Sequence, residues 1–385
     1  MNAPPPLMDL LGARWVTEAP VVALAWDVAG RHAGFALGDG SIAIAAAEWP
    51  GGPALKPRQS GGADFIPARE PPLPVARFSV HEGTCLALAA DPEGGFLSGG
   101  DDGRLVHLKV DGASEILVDV DGEWIDLVAT CRAGRAYATG RRVHWLGTKP
   151  ASLPLAGSAT ALAFNPAGDQ LAIAHHGGVT LWPIDAHVPR LLAWPGYHRS
   201  VVWSPDGLYL VSGMEENALH GWRLPDAGDI EMAGYPGQPR SLSFSADGRV
   251  LVTSGGPRAV CWRFDPPGGK DQPNQPNQPR ECGIAGKAPV TQVACHPTHP
   301  LIAVGYHNGA VLLCQPGGND VLFVKGADGS PVSAIAWSHD GGWLAMGTEA
   351  GAIGLVSLPE ALFHFGSPRS GNGQHPLHKG DNHDA

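Results

Sequence analysis

The sequence predicts an all-β fold in which one antiparallel meander is repeated around a closed ring, and three observations predict it. The first is the stretch Ser200 to Trp222, which reads as three short strands: apolar residues up to Trp203, a Pro205-Asp206-Gly207 turn, Leu208 to Gly213 running back, and Ala218 to Trp222 going out again after Glu215 to Asn217. The second is that this unit recurs along the chain at a period of roughly 34–42 residues where no insertion intervenes, the length of a propeller blade. The third is composition: 53 glycines and 36 prolines in 385 residues describe a chain that turns often. A lone meander leaves apolar faces bare, so stability requires stacked neighbours.

Composition also narrows function. With 43% apolar and 16% charged residues the chain is foldable. No apolar run approaches the ~18–20 residues that span a bilayer, and the Met1-Asn2-Ala3-Pro4 start lacks a signal-peptide pattern, so a cytoplasmic protein with no membrane partner is expected. The six cysteines stand singly and never as Cys-x-x-Cys, which predicts reduced thiols, and no cofactor is indicated. A net charge of −11 without a basic cluster argues against nucleic acid.

In order, residues 1–12 are Pro-rich and expected to be disordered, and Ala13 to Ala19 offers an isolated strand. Copy one runs from Val21 to Ala47 and is followed by a Pro/Gly-rich insertion, 49–75, expected as a long loop. Copy two (Thr84 to Val110) follows the strand Ala76 to Val80. Copy three (Trp124 to Leu146) is the most eroded. Copy four spans Ala161 to Trp182, copy five is the Ser200 stretch, and copy six spans Ser241 to Trp262. Residues 265–280 are of low complexity and expected to be a disordered loop. Copy seven is Gln292 to Cys314, copy eight Ser333 to Leu358, and 359–385 reads as a flexible tail containing histidines. Short runs such as Ser114 to Val120 and Val321 to Lys325 supply a fourth strand ahead of the next copy.

In copy two the spacing of His81, Ser98, Asp102 and Gly103 resembles the WD40 repeat. The resemblance implies a β-propeller in which the His, Ser, Asp and a Trp form a hydrogen-bonded set within each blade. The chain departs from the pattern at Val80, at Leu108 in the Trp place, and at Glu216 in copy five, so stability is expected to rest mainly on apolar packing between blades. Residues 13–358 are thus expected to form a single propeller of eight four-stranded blades, or seven if copy three is an elaborated connection. Because closing a ring removes free sheet edges, residues 13–19 are expected to complete the last blade. Antiparallel alternation puts both long insertions and both termini on one face, leaving the other face to short turns.

That short-turn face is where the resemblance implies a protein or peptide partner. Trp124 is the candidate exposed anchor, and Arg199, Arg240, Arg258 and His198 complete a partner-binding set suited to an acidic or carboxylate-bearing segment. The expected function is a non-catalytic, monomeric interaction platform. One alternative is a zinc-linked accessory protein using His175, His176 and His307 on the same face, although one His per turn across a wide ring need not converge. Cys295 and His296 resemble ligands, yet Cys295 aligns with Trp26, Phe164, Trp203, Phe244 and Trp337, a packing position. A second alternative, a propeller hydrolase, is disfavoured because no nucleophile elbow, phosphate loop or His-Glu-x-x-His motif occurs.

Overall fold

A computed structural model describes residues 5–58, 63–184, 188–226, 228–264, 279–318 and 320–362. The inner strands are Val21–Trp26, Cys85–Ala90, Leu127–Cys131, Ala161–Phe164, the second half of Arg190–Trp203, Leu242–Phe244, Val290–Cys295 and Val332–Trp337. Each touches the next, and the last touches the first, which closes the ring. Single propeller and all-β class are therefore as the repeat pattern predicted.

Counted as hydrogen-bonded sheets, the ring has seven members, six of four strands and one of six, with a further two-stranded ladder outside it. Counted as copies of the meander it has eight, because the six-stranded sheet holds copies four and five. Two 14-residue strands, Gln170–Pro183 and Arg190–Trp203, join them. Residues 171–174 pair with Ala161–Phe164, 178–181 pair with 190–193, and the register shifts at His176/Gly178 and His198/Ser200 before 200–203 pair with 210–213. Gly177 at φ 89° permits the reversal after His176. Copy three is a full four-stranded sheet, Leu127–Cys131 to Ala151–Pro154.

The closure is made by the N-terminal strand. Gly12–Val16 pairs antiparallel with copy eight, from Gly12 opposite Val356 to Val16 opposite Ala352. It ends earlier than the predicted Ala19, because the Thr17 hydroxyl donates to Ala19 O (2.9 Å) and the Thr17 amide to Gly351 O (2.8 Å), turning the chain. Residues expected to be disordered instead include a short helix, Leu7–Leu11. Leu7, Met8 and Leu11 share one face and are buried with Val356 and Leu358, so apolar burial orders this end. The insertion 49–75 also carries structure: Ala54–Pro57 pairs with Ala63–Ile66, and the Trp49 indole donates to Glu70 O at 3.2 Å. Residues 265–278 and the tail from 363 lie outside the described residues.

The apolar clusters lie between copies. One joins Tyr209 and Val211 of copy five to Phe244, Leu251 and Trp262 of copy six, and the next joins Val252 and Cys261 to Val293, Ile302 and Leu312 of copy seven. Inner strands are further tied by a recurring bond from a strand's last residue to the preceding copy: Trp26 to Ala336 O (3.1 Å), Trp203 to Ala163 O (3.0 Å) and Trp337 to Ala294 O (3.0 Å). Cys295 repeats it through its thiol, 3.4 Å from Ser243 O, which identifies it as a packing residue. Among the described residues no helix is long and apolar enough to cross a membrane.

Candidate interaction face

The antiparallel order places second-to-third turns and the connections into inner strands on one rim. There, polar side chains fix the copies. In copy two His81 Nδ1 lies 2.9 Å from Asp102 Oδ1 and Nε2 lies 2.7 Å from Ser98 Oγ, the set its spacing indicated. Copy six builds an equivalent from other residues: the Trp262 indole donates to the Tyr235 hydroxyl at 2.5 Å, and that hydroxyl lies 2.7 Å from Thr253 Oγ1. Sequence reasoning missed Tyr235 because it searched for histidine. In copy five His198 bonds Ser212 Oγ (2.7 Å) and Trp194 O (3.1 Å). The polar sets are thus more numerous than expected, and packing does not act alone.

His198, taken from the sequence as a partner contact, is completely buried, so it supports the face from beneath and offers it no surface. Its neighbour His220 is equally buried, stacks on Trp194 with ring centroids 3.7 Å apart, and meets Asp229 at 3.1 Å, while its Nδ1 has no partner. Burial pushes the His220 imidazole down to about 4, partly opposed by Asp229.

The histidines weighed as zinc ligands do not assemble. His175 is buried with Nδ1 on His176 O (2.8 Å) and Nε2 on Thr180 Oγ1 (2.8 Å). His176 is exposed beside Tyr197, ring centroids 5.9 Å apart, and His307 belongs to copy seven. Among the described residues, three metal-capable donors come within 4.8 Å of one another only at Asp91, Glu93 and His107. There the Arg135 guanidinium already supplies the cation, 2.6 Å from Asp91 and 3.1 Å from Glu93. Burial pushes the Cys85 and Cys295 thiols up to about 12, which removes them as nucleophiles.

The remaining predicted residues do reach the surface. Trp124 is 65% exposed, directly before the fully buried Ile125 that anchors it. Arg199 is exposed with its guanidinium carbon 5.4 Å from the centre of the Tyr197 ring. The Tyr197 carbonyl accepts from Glu215 N (2.9 Å), Glu215 O accepts from Gln238 Nε2 (3.3 Å), and Gln238 Oε1 accepts from Arg240 Nε and Nη2 (3.0 and 2.8 Å). A single linked chain therefore runs from Tyr197 to Arg240 across copies five and six. Arg258 is half-buried at the second turn of copy six. No carboxylate among the described residues pairs with Arg199, Arg240 or Arg258, whereas Arg77, Arg104 and Arg223 are paired with Asp39, Asp119 and Asp226. Trp124, in copy three, has no contact to this chain among those described.

Comparison with known proteins agrees with the geometry. Residues 292–365 match the family described as the anaphase-promoting complex subunit 4 WD40 domain, and residues 73–107 match the WD domain, G-beta repeat. The second match spans the His81 and Ser98 stretch. A search of curated proteins finds no match. Among solved structures, the crystal structure of the computationally designed Ika8 protein superposes with a TM-score of 0.65 over 91% of this chain and 99% of that one, at 14% identity, a likeness of fold alone. WD40 propellers are generally protein-interaction scaffolds. The closed ring of meanders, the His81 set and the two matched stretches together support a WD40-repeat β-propeller.

Proposed function

We propose that the chain is a non-catalytic interaction platform that binds an acidic or carboxylate-bearing segment of a protein partner on its short-turn face. The observation that carries this reading is the linked chain from Tyr197 to Arg240, which holds two exposed guanidinium groups in place with no carboxylate among the described residues on either. Arginine pairs with carboxylates in bidentate geometry, and a guanidinium whose side chain is already held loses less freedom on binding. Trp124 adds an exposed aromatic anchor on the same rim. In a protein of net charge −11, these cations, without a carboxylate partner among the described residues, offer an acidic segment a local attraction.

Site-specific photo-crosslinking tests the reading. A photoreactive residue at Trp124 or Arg199 should capture a partner that the same residue at Arg249, on the opposite face, does not. Equal capture from both faces, or capture from Arg249 alone, would contradict it.

A further inference from the structure

On the rim of the first turns, acids and bases alternate over short distances and pair: Asp226 holds Arg223, Asp247 lies 4.0 Å from Arg249, and Asp91 and Glu93 share Arg135. The short-turn rim sorts its charges instead. In ring order, Glu349 in the second turn of copy eight, Glu18 in the connection into copy one, and Asp121 and Glu123 in the connection into copy three are all exposed. None of these four carboxylates pairs with a cation among the described residues, while nearby basic side chains are taken up locally, Arg77 by Asp39, Arg104 by Glu82 and Lys325 by Asp328. From the second turn of copy three onward the sign reverses. Arg141 and Arg142 at that turn, and Arg199, Arg240 and Lys287 ahead of the inner strands of copies five, six and seven, are exposed without a carboxylate partner among the described residues. Within the turns and connections of this second arc the exposed acids are Glu215 and Glu216, and the Glu216 carboxylate already accepts the Tyr197 amide at 3.0 Å. Trp124 stands where the two arcs meet, between Glu123 and the Arg141 turn.

We infer that this rim receives a partner segment of mixed charge that crosses it in one direction, with an acidic stretch over copies three to seven, a basic stretch over copies eight, one and two, and Trp124 packing against the part between. The inference rests on the function proposed above and extends it, since Arg199 and Arg240 account for the acidic stretch alone. Like charges gathered on one side of a ring repel one another, and a partner of complementary pattern relieves that repulsion in both arcs at once. Turned end for end, the same segment would place like charges opposite each other, so the sorting supplies direction as well as attraction. A uniformly acidic segment would meet repulsion from Glu18, Asp121, Glu123 and Glu349 wherever it ran past the second arc, which favours the mixed one.

Fluorescence anisotropy at low ionic strength tests this with labelled peptides titrated onto the full chain. The block probe carries about six glutamates, about a dozen Gly/Ser residues and about six lysines; one control alternates the same glutamates and lysines, and another keeps only the glutamates. The block probe should bind about five- to tenfold tighter than the alternating one. Arg199→Glu with Arg240→Glu should weaken the block and the glutamate probes alike. Glu123→Lys with Glu349→Lys should weaken the block probe by a similar factor, about fivefold, and leave the glutamate probe unchanged or tighter. Equal binding of block and alternating probes would overturn the inference. So would a block probe that responds to the arginine pair and not to the glutamate pair, a result that leaves the proposed function standing, whereas indifference of every probe to the arginine pair would contradict both. Sedimentation of the full chain as a dimer that either pair of substitutions dissociates would give the face to a second copy and likewise overturn the inference.

Discussion

The two faces of this ring use polar side chains for different ends. On the rim of the first turns, Ser204, Ser245 and Ser338 each donate to the Asp two residues on, at 2.5–2.6 Å, and each accepts the amide that follows the turn. That rim also carries the insertion 49–75 and the junction where Gly12–Val16 closes the ring. On the short-turn rim the buried polar atoms form sets between strands, while Arg199 and Arg240 are exposed with no carboxylate partner among the described residues. The difference teaches that the first rim is occupied with closing and turning the chain, while the second is braced by buried polar sets and carries Arg199 and Arg240 in one linked run of contacts.

Three perturbations sharpen this contrast. The largest is expected from removing residues 1–16. It strips the closing strand and the buried Leu7, Met8 and Leu11, exposes Ala352–Ser357 as a free edge, and should lower the melting temperature by roughly 10 °C or more. A melting temperature within a degree or two of the intact chain would mean that the ring closes without this strand.

The second acts beneath the short-turn rim. Tyr235→Phe deletes one hydroxyl but leaves the Trp262 N–H and the Thr253 hydroxyl buried without it, so a loss of about 1–3 kcal/mol in denaturant unfolding is expected. No change would show that this set is not a supporting element of copy six.

The third is pH. The folded-state pKa of His220 is depressed to about 4 by burial, below the ordinary 6.5, so the unfolded chain takes up the proton first as pH falls. Stability is fully present above about 6.5 and is lost as pH falls from there toward about 4. His198 and His144, also lowered by burial, add to the same slope. His220→Gln should flatten it in this window, and an unaltered slope would place the sensitivity elsewhere.

Much of the fold was legible because turn chemistry is local: Pro205-Asp206-Gly207 and Asp101-Asp102-Gly103 mark reversals whatever surrounds them. Closure by the N-terminal strand was legible too, since copy eight lacks a fourth strand of its own. What failed to show were features set by tertiary neighbours. Leu7–Leu11 is too short to announce itself as a helix and is ordered by copies seven and eight. Tyr235 fills a histidine's place by geometry alone, and His198 proved buried because it bonds the buried Ser212 within copy five, as His81 bonds Ser98 in copy two. For the candidate site, Arg199 and Arg240 were readable as positions, but the Glu215 and Gln238 links that hold them were not.

The most direct measurement is the affinity of a captured partner for three chains: unaltered, Arg199→Ala with Arg240→Ala, and Arg249→Ala on the opposite rim. The account predicts a loss of about tenfold or more for the double variant, with its melting temperature unchanged and the Arg249→Ala chain binding as the unaltered one does. A double variant that binds within about twofold of the unaltered chain, while Arg249→Ala weakens binding, would contradict it.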